Sequence, residues 1–218
     1  VDVGFFIVEK RIIGRMPTED FWLYDLFPAL IAERELAGFT TDNLYYSLST
    51  PERMKLTERF FLSRKVIFLD RDGVINKKMP QGEYVTKWAE FEFLPEAKKA
   101  MKLLADAGFE IYIISNQAGI ARRKMTEGDL FNIHKNMEQE LFDYGVKINK
   151  IYYCMHAWDA GCLCRKPKPG MIFRAAIDHQ IDLPGAVFVG DDERDVQTGT
   201  AAGCPTVLMA SNTSLLNV

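Results

Sequence analysis

From Lys65 onward, short apolar runs alternate with helix-length amphipathic segments, the pattern of a parallel sheet built from βαβ units. Five strands are predicted, at Val66–Leu69, Ile111–Ile114, Ile151–Tyr153, Ala186–Val189 and Thr206–Met209. Each is almost continuously apolar, as a strand covered on both faces must be. The intervening helices have readable ends. Pro95 opens one that Gly108 closes, and Thr126 with Asp129 three places on forms a capping box for a helix through Tyr144. On that helix Leu130, Ile133, Met137 and Leu141 keep the helical period. Residues 1–64 read differently. They begin with an apolar strand-like run, continue with a helical pattern around Leu23, Leu26, Phe27, Leu30 and Ile31, and end in an amphipathic helix through Phe61 that Pro51 starts. The expected organisation is a domain over 65–218 and a smaller segment over 1–64.

The 218 residues allow one domain, or two if one is small, and 48% hydrophobic with 26% charged residues is the balance of a folded globular chain. A formal charge of −3 gives no electrostatic reason to expect nucleic acid or an anionic membrane surface as partner. No apolar run approaches the roughly 18 residues of a membrane-spanning helix, and Val1-Asp2-Val3-Gly4-Phe5-Phe6 lacks the basic start of a signal peptide. The expected location is the cytoplasm. A chain beginning with Val1 rather than Met is expected to be a piece of a longer product.

The polar residues fall at the carboxyl ends of the predicted strands. Asp70 and Asp72 follow the first, Ser115 and Asn116 the second, and Asp191 and Asp192 the fourth. Open α/β sheets bind ligands at those ends, so three clusters converge on one crevice. Asp-x-Asp alone is common and reads first as a turn or solvated loop. Together with Lys166, it offers an attacking carboxylate, a proton-transferring one and a cation. A phosphate monoester repels a carboxylate, so a divalent cation and a lysine must cancel charge before the two approach. Hard oxygen donors select magnesium for that cation. Asp195 is either a further outer carboxylate or the cap of the following helix.

These motifs resemble the haloacid dehalogenase (HAD) superfamily of phosphohydrolases over about residues 65–218. The resemblance implies a three-layer, Rossmann-like parallel sheet and a fixed set of roles. Asp70 is the nucleophile that forms an aspartyl-phosphate, and Asp72 protonates the leaving oxygen and then deprotonates water. Ser115 binds the phosphoryl oxygens, Lys166 neutralises charge, and Asp70, Asp191 and the carbonyl of Asp72 hold Mg²⁺.

Cys154-x-His156-x5-Cys162-x-Cys164 supplies three thiols and one imidazole from one loop, a complete tetrahedral set for a structural Zn²⁺. Free thiols or a disulfide are the alternative. Cys204, before Pro205, is expected to be a buried thiol outside this set, and His134 and His179 to be surface or packing residues away from the motifs. The run Cys154 to Met171, with Arg165-Lys166-Pro167-Lys168-Pro169-Gly170, resembles D-glycero-D-manno-heptose 1,7-bisphosphate phosphatases, and a related branch hydrolyses histidinol phosphate. Asp70-Arg71-Asp72-Gly73-Val74-Ile75-Asn76 and Ser115-Asn116-Gln117-Ala118-Gly119 favour the heptose branch, which implies that Ser115, Asn116, Gln117, Arg165 and Lys166 touch a small sugar phosphate. One departure is Asp192, where that branch usually carries a lysine. A non-catalytic binding module is the rival from another class.

About 45 residues separate Asp70 from Ser115 and about 51 separate Ser115 from Lys166, lengths that one crossover each nearly fills. No large cap domain fits, so the zinc loop and Asn76–Tyr84 are expected to select substrate; Gly82 and Tyr84 lie in that segment, and either alone reads as a surface turn. Finally, Val1-Asp2-Val3-Gly4-Phe5, Leu26-Phe27-Pro28-Ala29-Leu30 and Ser49-Thr50-Pro51-Glu52 resemble the carboxyl-terminal part of sugar-nucleotide nucleotidyltransferases. Ser47 replaces that family's metal-binding aspartate, and Ser49 its glycine. The resemblance implies an inactive or incomplete segment, with the phosphatase fused to or associated with a nucleotidyltransferase; a helical extension that only packs is the alternative.

Overall fold

A computed structural model describes residues 7–38, 48–210 and 213–217. The chain divides into two compact units, Val1–Ser47 and Leu48–Val218. In the first, α1 (Lys10–Ile13) and α2 (Phe27–Ala32) are short, and a 3₁₀ turn at Leu23–Leu26 precedes α2. The strand-like run expected at the start, and Ser47, lie outside the described residues.

The second unit begins with α3 (Pro51–Ser63). Thr50 caps it by accepting a hydrogen bond from Arg53 N at 3.3 Å, with Pro51 at the first helical position where its missing N–H costs nothing. At its end Arg64 bonds both carboxylate oxygens of Glu110, at 2.7 and 2.6 Å, and the carbonyls of His179 and Gln180. One arginine thereby ties the end of α3 to Glu110 and to the backbone at His179 and Gln180.

The sheet has five parallel strands in the order β3-β2-β1-β4-β5. They are β1 (Lys65–Leu69), β2 (Phe109–Asn116), β3 (Ile148–Cys154), β4 (Ala186–Gly190) and β5 (Thr206–Leu208). Alternate residues face opposite layers. Ile67, Leu69, Ile111, Ile113 and Val189 pack with Met101 of α4 (Ala97–Asp106) and with Met137 and Leu141 of α5 (Glu127–Asp143). Val66, Phe68, Tyr112, Ile114 and Phe188 pack with Met171, Ile172 and Ala175 of α6 (Gly170–His179) and with Ala202 of α7 (Glu193–Ala202). This is the expected three-layer α/β/α arrangement, with both faces covered and the chain reversing direction across β1 and β4, the switch point at which such sheets bind ligands.

The differences from expectation are local. β2 and β3 are longer than their apolar runs, because Phe109-Glu110 and Ser115-Asn116 complete ladders that the sheet demands regardless of side-chain polarity. Helix α4 starts at Ala97, two residues after Pro95, because Glu96 adopts a left-handed conformation (φ 61°). The capping box is as expected, with Asp129 N donating to Thr126 Oγ1 at 3.1 Å and Thr126 N to Asp129 Oδ2 at 2.9 Å. No helix among the described residues is long and apolar enough to cross a membrane.

Candidate active site

The strand ends build the site. Asp70 is the first residue past β1, its N–H still bonded to Val189 O of β4 at 2.9 Å, so its side chain leaves the sheet at the switch point. The chain then turns at Gly73, whose φ of 103° suits glycine and where a Cβ would collide with the Asp191 carboxylate. A side chain at Gly190 would likewise collide with Asp195. These two glycines let the β1 and β4 turns close on each other.

Lys166, 4% exposed, is the central cation. Its Nζ lies 2.9 Å from Asp70 Oδ1 and 2.7 Å from Asp195 Oδ1, and donates to Ile114 O at 3.1 Å. Burial disfavours its charge, yet Asp70 and Asp195 together hold its pKa above the ordinary lysine value. Asp195 joins both readings left open for it: its other oxygen accepts from Asp191 N and Asp192 N at 3.1 Å each, capping α7.

Oxygen atoms of Asp70, Asp191 and Asp195 all lie within 4.8 Å of one another. Asp191 Oδ1 is buried with no hydrogen-bond partner among the described residues. Burial pushes Asp70 up to about 7 despite Lys166, and burial also raises Asp191 despite Lys78. A group of hard, crowded, partly orphaned carboxylate oxygens, two of them on residues whose ionisation burial opposes, is fitted to a small divalent cation.

Asp72 behaves in the opposite way. Burial raises its pKa, but Arg71, Asn76 and Gln117 overcome that and leave it below the usual carboxylate value. Asn76 Nδ2 reaches Oδ1 at 2.9 Å and Gln117 Nε2 reaches Oδ2 at 2.8 Å. Gln117 also donates to Ser115 Oγ at 2.8 Å. Asn116 clamps the Lys166 backbone, accepting from its N at 3.1 Å and donating to its carbonyl at 3.2 Å. The residues read as substrate contacts thus line the cavity while their amides brace Asp72, Ser115 and Lys166.

That cavity measures about 980 Å³. Lys78 to Val85 form one wall, with Trp158 of the cysteine loop and Arg165 opposite. Arg165 Nη1 is buried without a partner among the described residues. At the rim, Asp192 does not act as a free anion. Arg194 covers it, with Nε to Oδ1 and Nη2 to Oδ2 both at 2.8 Å, and Lys78 Nζ stands 3.6 Å away.

Cys154, His156, Cys162 and Cys164 converge as expected. Cys154 Sγ is 3.7 Å from Cys162 Sγ and 3.3 Å from Cys164 Sγ, and His156 Nδ1 is 3.5 and 3.2 Å from Cys154 and Cys164. Sulfurs about 2.3 Å from a tetrahedral metal stand about 3.7 Å apart, so the cluster has the dimensions of a closed metal site. Cys154 ends β3 and Cys164 immediately precedes Arg165 and Lys166, so this loop connects the sheet to the buried lysine between Asp70 and Asp195. Cys204 is apart from it, buried, with its thiol on Ala186 O at 3.2 Å.

Comparison with known proteins matches this architecture. A family model described as HAD-hydrolase-like matches residues 163–215. The D-glycero-alpha-D-manno-heptose-1,7-bisphosphate 7-phosphatase of Photorhabdus laumondii is 40% identical over 148 residues, covering 65% of this chain and 79% of the relative. The chain belongs to the HAD-like phosphatase family. The corresponding enzyme of Campylobacter jejuni is 36% identical, covering 69% and 84%. A Pseudomonas aeruginosa relative, 36% identical and matched over 68% and 82% of the two chains, carries the beta form of the substrate in its name. A crystal structure of D,D-heptose 1,7-bisphosphate phosphatase from Bordetella bronchiseptica, complexed with magnesium and phosphate, superposes with a TM-score of 0.63 at 38% identity, covering 66% of this chain and 79% of that one.

Within this HAD-like phosphatase, four residues escaped sequence reasoning. Lys78 bonds Asp191 Oδ2 at 2.6 Å, and Arg194 covers Asp192. Arg71 bonds both oxygens of Asp72, and His134 bonds Arg71. His134 corrects the expectation directly: it is buried and 3.2 Å from Arg71, not remote from the motifs. Its position on the same face of α5 as Leu130 and Met137 was the available signal. His179 is a packing residue, as expected, with its ring 4.9 Å from Tyr112.

Proposed function

We propose that this chain is a magnesium-dependent phosphomonoester hydrolase that removes the 7-phosphate of D-glycero-D-manno-heptose 1,7-bisphosphate. The observation that carries the reading is the meeting of Asp70 from the end of β1, Lys166 from beyond the cysteine loop, Asp191 from the end of β4 and Asp195 from the first turn of α7 around one point. Asp70 attacks phosphorus and becomes an aspartyl-phosphate while the ester oxygen departs with a proton from Asp72. Asp72 then takes a proton from the water that releases inorganic phosphate. The donors around Asp72 stabilise its carboxylate, so its protonated form gives up the proton readily. Ser115 binds a phosphoryl oxygen, and Lys166 keeps the nucleophile and the phosphate from repelling each other.

Asp70, Asp191 and the carbonyl of Asp72 would hold Mg²⁺, which supplies further charge neutralisation at the phosphoryl group when bound. Zn²⁺ fits the Cys154, His156, Cys162 and Cys164 cluster, where it would supply folding energy to a loop with little core. Ligating thiols need a reducing compartment, and the four cysteines are free, which favours the cytoplasm. Arg165, with its orphaned Nη1, suits the second phosphate of a bisphosphate. Residues 1–64 are read as a nucleotidyltransferase carboxyl-terminal-like segment without transferase activity, in a fused or associated heptose-activating assembly.

The test is phosphate release with Mg²⁺ from the alpha and beta heptose 1,7-bisphosphates and from histidinol phosphate, side by side. A higher kcat/KM on a heptose bisphosphate supports the reading. Preference for histidinol phosphate overturns the substrate, and absence of hydrolysis of all three overturns the activity.

A further inference from the structure

A buried pair stands behind Asp72. Arg71 is 1% exposed, and its Nη2 donates to both oxygens of Asp72 at 2.9 Å. Its Nη1 lies 3.2 Å from Nε2 of His134, itself 6% exposed. Arginine can only donate, so Nε2 is the acceptor and His134 is neutral with its proton on Nδ1. Burial, reinforced by the Arg71 charge and only partly opposed by Asp72, pulls the imidazole pKa down to about 3, which agrees with that tautomer. Tyr153 packs edge-on against the ring at 5.2 Å, and Ile133 and Met137 flank it on α5.

Burying a guanidinium is costly unless its donors are satisfied, and here the acceptors are one carboxylate and one imidazole, with Nε left without a partner among the described residues. Asp72 already receives Asn76 and Gln117 from the sides. Arg71 adds a donor shared between the two oxygens, and His134 holds the guanidinium through its other terminal nitrogen. With Asn76 on one oxygen, Gln117 on the other and Arg71 on both, the carboxylate is fixed in one orientation.

We propose that His134 is a positioning residue for the acid/base step, holding Arg71 so that Arg71 holds the Asp72 carboxylate in a single orientation. This rests on the reading of Asp72 given above. The proton that Asp72 gives to the ester oxygen as the P–O ester bond breaks, and the one it takes from water as the Asp70–phosphorus bond breaks, both pass through that carboxylate. His134 itself touches no reacting atom.

Dependence on the leaving group separates this role from a structural one. An alkyl phosphate such as the sugar ester needs a proton on its leaving oxygen, whereas 2,4-dinitrophenyl phosphate does not. In His134→Ala the loss in kcat/KM on the alkyl ester should exceed the loss on the aryl ester by about tenfold, within the span that a general acid contributes. His134→Gln, whose amide oxygen can accept from Arg71, should recover most of that difference. Arg71→Lys, which keeps the charge without the paired donors, should reproduce the difference from the other end. Equal losses on both esters in His134→Ala and Arg71→Lys, or no loss in either, overturn the proposal while leaving the phosphatase reading intact. Failure of the unmodified protein on both esters overturns that reading itself.

Discussion

At Asp70 the demands of burial and of chemistry conflict. The nucleophile proposed here must be ionised, yet burial raises this carboxyl from its ordinary 3.8 to about 7, with Lys166 opposing and Asp195 and Asp72 adding to the rise. Between those two values the metal-free folded protein holds a proton that the unfolded chain has lost, so this group's contribution to stability falls as pH rises through that window. A divalent cation binds the ionised form and removes the penalty. The increase in thermal midpoint on adding Mg²⁺ should therefore be larger at pH 8 than at pH 5; an increase independent of pH would contradict this. Asp70 and Asp191 were legible in the sequence because they directly follow strands, where chain direction dictates where a side chain goes, and Lys166 because it closely follows the last cysteine of the Cys154–Cys164 loop. Arg71, Lys78 and Arg194 were not, because each reaches its carboxylate through long rotatable bonds. Asn116 and Gln117 were legible as site residues, but not as braces for Lys166, Asp72 and Ser115.

Among the elements, the cysteine loop links structural and catalytic parts. It leaves the sheet at Cys154, where Gln117 N bonds the Cys154 carbonyl at 2.7 Å, and returns at Cys164 beside Arg165 and Lys166. Farther along, Gly170 N bonds Leu163 O at 3.1 Å, and a side chain at Gly170 would collide with that same carbonyl. With so little core, the loop would keep its shape through the Zn²⁺ proposed for it. Removing the metal with a chelator, or replacing Cys162 with Ser, should lower the thermal midpoint and reduce kcat by about tenfold or more through displacement of Lys166. Metal analysis should give about one zinc per chain before treatment. Full activity in metal-depleted protein would break the link between this loop and catalysis. The convergence of Cys154, His156, Cys162 and Cys164 was readable from spacing alone, since a tetrahedral site needs little beyond proximity in the chain. The left-handed Glu96 that delays α4 had no sequence signal, because glutamate seldom adopts it.

On the scale of the whole molecule, the cavity-lining residues lie between Asp70 and Asp195, inside the unit Leu48–Val218, while Val1–Ser47 forms a unit of its own. Deleting residues 1–47 should therefore leave kcat/KM within about twofold, measured on the same sugar bisphosphate; a loss beyond tenfold would assign the first unit a part in the reaction. Alternation of apolar runs made the α/β architecture readable, and the short intervals between motifs excluded a large cap. The role of the first 64 residues was less readable, because a short helical segment carries little pattern that distinguishes one fold from another. The claim on which the rest depends is that one carboxylate attacks phosphorus. Its most direct test is phosphate release from heptose 1,7-bisphosphate by Asp70→Asn, with folding checked by circular dichroism. The account predicts a folded protein whose turnover falls by at least about 10³-fold, and a variant with undiminished turnover would contradict it.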